Sequence, residues 1–300
     1  MKTMIFDENF TTGDILNYLT DMSLEAKYVY RGYGKQAELL PSIIRNKSYE
    51  NVESRLLSYF EKYASHYFHA HTPIDFMSYA QHFGIPTRLL DFTYNPFIAL
   101  SFSLYKPKSN GNYSCDEDKD YYYIRYASLQ DNLLIETIDL TQSIRNVQIF
   151  SSNSFAEQSI LYVNMLEDLF GENEQQNNIN VLMQSKLQIK DVDDITEQQK
   201  KMQNRTILFI DPNQSNQRII MQQGLFMLPY TINKSDHLSI IEKNSAVIKI
   251  HKTHREKLLS ALDTMGYNTF RLMPDLPSIC QAITRKVTDE RTQSSNNFKK

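Results

Sequence analysis

Hydrophobic positions change spacing several times along the chain, and each change marks an element. Ile15, Leu16 and Leu19 share a helical face over Asp14 to Leu19, with Thr11 or Thr12 near its start. Lys27 to Arg31 reads Lys-Tyr-Val-Tyr-Arg, a strand pattern that Gly32 and Gly34 break. Val52, Leu56, Tyr59, Phe60, Tyr63 and Tyr67 recur at helical spacing and predict a long helix over Glu50 to Phe68. A second helix follows over Asp75 to Phe83 and ends at Gly84 and Pro86. Asn95-Pro96 joins an N-cap residue to proline at the first helical position. The next segment, Phe97 to Tyr105, is apolar nearly all round, which predicts a buried helix.

Farther on, Tyr121 to Ala127, Leu133 to Ile138, Thr206 to Ile210 and Ala246 to Ile250 read as strands. Ser154 to Phe170 reads as a helix, and Arg218 to Leu228 is a further apolar run. Thr253 and Glu256 have capping-box spacing, and Gly266 closes the helix they open. Asp275 to Val287 predicts a last helix. No composition break or internal repeat separates a second domain. The expected layout is a helical segment over residues 1–24, one α+β domain over 25–287, and a polar tail over 288–300. Polar insertions are expected near 106–120 and 171–204.

Composition narrows the classes. Hydrophobic residues make up 41% and charged residues 22%, as in ordinary globular proteins. A net charge of −3 supplies no global basic field for nucleic acid or anionic lipid. No apolar run approaches the roughly 20 residues of a membrane helix, and the N-terminus carries no apolar leader. Cys115 and Cys280 are too few for a disulfide framework and lack metal-ligand spacing. A cytoplasmic protein without membrane contact is expected. His66, His69 and His71 have no acidic or cysteine partner at ligand spacing, so no metal is expected.

Three segments hold candidate chemistry. Tyr30-Arg31-Gly32 ends a predicted strand, where the Arg31 fork is placed either to grip a phosphate or carboxylate or to pair with a nearby acid. Gln81 to Pro96 packs an amide, an imidazole, a guanidinium, a carboxylate and hydroxyls around a bend. There Arg88 and Asp91, three apart, form either a site or a capping ion pair, with Thr93 or Asn95 as the helix cap. In Arg218 to Phe226, Gln222 and Gln223 precede Gly224 inside an apolar run, and buried amides need partners from a ligand or from the fold. No Walker loop, dinucleotide fingerprint, serine elbow or zinc-protease motif occurs.

Taken in order, these segments resemble the FRG domain family, named for its aromatic-Arg-Gly motif, here Tyr30-Arg31-Gly32. The resemblance extends through Gln81–Thr93 with Asn95-Pro96, then Arg218–Gln222 with Gly224 and Phe226, and closes at Gly266-Tyr267-Asn268 and Met273-Pro274-Asp275-Leu276. It implies a distant likeness to the ADP-ribosyltransferase fold: a bent, split β-sheet with flanking helices and NAD held in its cleft. Arg31 would then grip ribose and phosphates, Thr93 would support the nicotinamide side, and Gln222 would meet the ribose. Tyr30, Gly32, Arg88 and Arg218 would complete the NAD site. Gln222 is neutral and cannot act as a base, so Asp91 or Asp275 would supply the charge.

FRG domains often occur in bacterial conflict systems. The resemblance therefore implies an NAD-consuming transferase or glycohydrolase acting as a toxin or anti-phage effector on a macromolecular acceptor. A non-catalytic module sensing a nucleotide or phage component, and a nucleic-acid-directed enzyme, are the alternatives.

Overall fold

The computed structural model describes residues 3–34, 36–49, 52–70, 72–104, 120–136, 154–161, 207–214, 216–229, 233–276, 279–280 and 283. Most of the two expected insertions, the expected tail and much of the helices expected over 154–170 and 275–287 lie outside these residues. The elements, in chain order, are β1 (Thr3–Phe6), α1 (Thr12–Leu24), β2 (Tyr28–Tyr33), α2 (Ser42–Arg45), α3 (Glu53–Ala64), α4 (Pro73–His82), β3 (Leu90–Thr93) and α5 (Pro96–Leu104). There follow β4 (Tyr121–Ser128), β5 (Leu133–Glu136), β6 (Leu208–Asp211), α6 (Gln217–Gln222), β7 (Gly224–Leu228), α7 (Lys234–Asn244), β8 (Ala246–His251), α8 (Arg255–Thr264) and α9 (Thr269–Leu272). A short 3₁₀ turn at Gln36–Leu39 comes after β2, and one at Ser65–Tyr67 continues α3. Among the described residues, no helix is long and apolar enough to cross a membrane.

All eight strands form one open mixed sheet in the order β1-β8-β4-β2-β3-β7-β6-β5. The α+β class with flanking helices is as expected. The sheet is continuous, yet β2 and β3 share a single register pair, Tyr30 with Thr93, whereas β2 and β4 share six. Two four-stranded halves thus meet at the aromatic-Arg-Gly segment. One face is divided. Over the first half, Phe6, Leu19, Tyr30, Leu100, Ile248 and Leu258 form the core beneath α1, α5 and α8. Over the second, Leu57, Phe76, Met77, Ile210 and Phe226 form a separate core with α3 and α4. The opposite face is shared, with Val29, Phe92, Leu225, Ile241 and Val247 packed together beneath α7.

Local chemistry explains several boundaries. Thr11 caps α1 in a reciprocal box with Asp14. Asn95 Oδ1 accepts from the Phe97 amide at 2.9 Å, so the cap read from Asn95-Pro96 is formed. Gly266 turns at φ +81° after α8, the left-handed conformation that favours glycine. Gly32 is demanded by contact rather than by torsion. A Cβ there would lie 1.8 Å from the Ala99 carbonyl oxygen, because α5 crosses β2 at backbone distance.

Several expectations need correction. The segment 1–24 is not wholly helical, since β1 pairs in parallel with β8. β3 forms within the stretch read as a bend, and α7 forms where no helix was expected. The Thr253–Glu256 box does not form: Thr253 meets His251, and Glu256 pairs with Arg255. The helical face read through Tyr59, Tyr63 and Tyr67 points outward, while Glu53, Leu57 and Phe60 are the buried positions of α3.

Gly32→Ala forces α5 off β2 and is expected to lower stability by more than about 3 kcal/mol. Chemical denaturation measures it, and a variant of native stability would contradict the packing described.

Candidate active site

The bend after α4 folds back as a chain of hydrogen bonds. Thr87 Oγ1 donates to Gln81 Oε1 at 2.5 Å, and Gln81 Nε2 donates to Asp91 Oδ1 at 2.7 Å. This orients the Gln81 amide and pins one oxygen of an otherwise exposed carboxylate. Among the described residues, Asp91 Oδ2 has no protein partner. On β3, Asp91 pairs with Phe226 of β7, and side chains alternate, so it projects to the divided face.

An open cleft with a cavity volume of about 160 Å³ lies there. Gln81 and His82 of α4, Asp91 of β3, Arg218 and Gln222 of α6, and Phe226 of β7 line it. Asn216 caps α6 through the Ile219 amide, and Gln223 turns the chain into β7 at φ +45°. Arg218 Nη1 stands 3.5 Å from His82 Nδ1, and no carboxylate pairs with Arg218 among the described residues. Burial, then the Arg218 charge, push the His82 imidazole below its ordinary value, with Asp275 opposing. The cleft therefore offers one open carboxylate oxygen, one available guanidinium and a neutral imidazole.

The expected site residues divide into two groups. Asp91, Arg218 and Gln222 line one cleft. Gln222 is anchored there, its Nε2 donating to the Leu272 carbonyl at 2.8 Å. The others serve the frame. Tyr30 is buried, its hydroxyl donating to the Met22 carbonyl, and burial raises its pKa. Thr93 Oγ1 donates to the Gln222 carbonyl at 2.7 Å and accepts from the Asn95 amide. Gly32 is the crossing point of α5. Arg88 does not pair with Asp91, as the spacing allowed. Its Nη2 lies 2.6 Å from Glu53 Oε2 in a buried ion pair, and Glu53 also accepts from the Arg88 amide.

Arg31 stands at the seam between the sheet halves. Its Nη1 donates to the Asp91 carbonyl at 2.6 Å, while Nε and Nη2 donate to the Glu38 carbonyl. The guanidinium thus takes the place of ladder hydrogen bonds where β2 and β3 part. Burial lowers its pKa and the Asp91 charge opposes that. Nearby on α7, His237 Nε2 donates to the Leu39 carbonyl at 2.9 Å, and burial holds this imidazole below its ordinary value. His82 and Gln81 were visible in the sequence as polar residues before Gly84, but nothing local tied them to Arg218. Glu53 gave no signal beyond its place in a helical pattern.

Arg31→Ala leaves two carbonyls without their donor and is expected to cost about 3 kcal/mol in chemical denaturation. A loss of ligand binding at unchanged stability would contradict the clip role. His237 gives a pH signature. Its folded pKa is depressed, so stability is complete above about pH 6.5 and falls as pH drops through that value. His237→Gln should flatten the pH dependence of the denaturation midpoint, and an unchanged slope would contradict this.

A family model of the FRG domain matches residues 26–112. It covers Tyr30-Arg31-Gly32 and Gln81–Pro96, and it ends before Arg218 and the 266–276 segment. No curated protein and no solved structure matches the chain. The clip at the seam, the α5 crossing and the carboxylate of the cleft all fall within the matched residues, and residues 26–112 of this chain are an FRG domain.

Proposed function

We propose that the cleft binds NAD or a related nucleotide and cleaves its nicotinamide–ribose bond, passing ADP-ribose to an acceptor or to water. The observation that carries this reading is the pairing of Asp91, with one oxygen open, and Arg218, without a carboxylate partner among the described residues, in one cleft. Arg218 would take a phosphate of the pyrophosphate bridge. Phe226 and Ile219 line the cleft with apolar side chains.

In the reaction, the ribose C1′–N1 bond breaks and its electron pair leaves with nicotinamide. The ribose becomes an oxocarbenium ion, and Asp91 stabilises that charge from a position Gln81 holds in advance. An acceptor hydroxyl or water adds at C1′, and its proton passes to Asp91 or to solvent. Gln222, with Nε2 held by Leu272, orients a ribose hydroxyl and does no acid–base work. The two sheet halves meeting at one pair support an ADP-ribosyltransferase-like architecture. Consumption of NAD would suit a toxin or anti-phage effector.

Nicotinamide release from NAD by the purified chain is the test. Asp91→Asn keeps an acceptor for Gln81 and should lower the rate about 100-fold or more. Thermal stability should stay within about 0.5 kcal/mol, because the side chain is exposed. Arg218→Ala should raise KM. A melting shift with NAD but no nicotinamide release would favour the sensing module instead. Asp91→Asn as active as the parent would overturn the assignment of that carboxylate.

A further inference from the structure

We propose that the outer face of α3 and its 3₁₀ extension binds single-stranded nucleic acid. Tyr59, Tyr63 and Tyr67 follow one another at every fourth residue and are 47%, 65% and 73% exposed. Four residues advance a helix about 6 Å. The Tyr59 and Tyr63 rings lie 6.1 Å apart, with planes 1° from parallel. Two parallel ring faces on α3, with a third exposed tyrosine on the turn beyond it, offer what stacked bases require, and stacking tolerates any base sequence.

Two cations and an imidazole are threaded among these rings. Arg55 lies over Tyr59 at 5.7 Å, Lys62 over Tyr63 at 5.3 Å, and the His66 ring is 3.9 Å from that of Tyr67. The remaining exposed residues in this stretch are Ser54, Ser58, Ser65 and His69. Both acids of the segment are turned away. Glu53 is buried against Arg88, and Glu61 accepts from Ser154 and the Phe155 and Ala156 amides. The exposed residues between 52 and 70, then, are cations, imidazoles, hydroxyls and aromatic rings, and the half-buried Glu61 is taken up by Ser154 and two amides. On a chain of net charge −3, this local segregation complements a polyanion that bears planar rings. The apolar residues Leu57 and Phe60 of α3 face the core, so the outer face presents rings and cations without an aliphatic stripe.

The site stands apart from the cleft and does not depend on its chemistry. The test is fluorescence anisotropy of labelled oligo(dT) and oligo(U) with the full chain. Binding is expected with Kd no weaker than about 100 μM, weakening several-fold between about 50 mM and about 200 mM salt. Tyr59→Ala and Tyr63→Ala should each weaken it about tenfold at unchanged melting temperature. Lys62→Glu should weaken it and reduce the salt dependence. Absence of binding, or binding that both tyrosine variants retain, overturns the proposal. Self-association that Tyr63→Ala abolishes, without oligonucleotide binding, would assign the face to a second copy of this chain and overturn it as well.

Discussion

The Arg31 guanidinium holds the two halves of this sheet together where their backbones part. β2 and β3 pair at Tyr30 and Thr93 and nowhere else, so the carbonyls beyond that point need donors from another source. A guanidinium supplies donors in a fixed fork, and here it reaches Asp91 on one side and Glu38 on the other. A lysine ammonium, a compact point charge, does not reproduce that fork. The neighbours of Arg31 in the motif serve the same junction. Tyr30 fills the core beneath it, and Gly32 lets α5 lie directly on the strand.

This arrangement shapes the cleft. Asp91 is held twice, through its carbonyl by Arg31 and through its carboxylate by Gln81. A charged group fixed from both sides loses little freedom when a ligand arrives, which is the physical meaning of preorganisation. The buried Arg88–Glu53 pair anchors the intervening turn to α3. Removing one partner alone would leave a buried charge, so the pair constrains where the bend lies even if its net contribution to stability is small. The arginines of the family resemblance have separate tasks. Arg31 and Arg88 stabilise the frame, and Arg218 alone lines the cleft.

How much of this was legible in the sequence depends on distance along the chain. Asn95-Pro96, Thr11 near the first helix and Gly266 act within a few residues, and each was read correctly in place. β3 was hidden because the four residues Leu90–Thr93 carry too short an alternation to register. α7 was hidden because it buries only His237, Ile240 and Ile241. The Arg88–Asp91 spacing invited a local pair, whereas the partner stands 35 residues earlier on another helix. The tyrosines of α3 have helical spacing, and periodicity alone does not say which side of a helix faces the core. Asp91, Arg218 and Gln222 were named as candidates, but their convergence follows from β3 pairing with β7 and from the α6 turn, which no local pattern encodes.

The central claim is a division of labour: Arg31 belongs to the frame and Arg218 to the ligand. Side-chain ¹⁵N spectra of the arginine guanidiniums, recorded while ADP-ribose is titrated into the full chain, test it directly. The Arg218 resonances are expected to shift to saturation while the Arg31 Nε resonance keeps its position and slow solvent exchange. A saturating shift at Arg31 with none at Arg218 would contradict it.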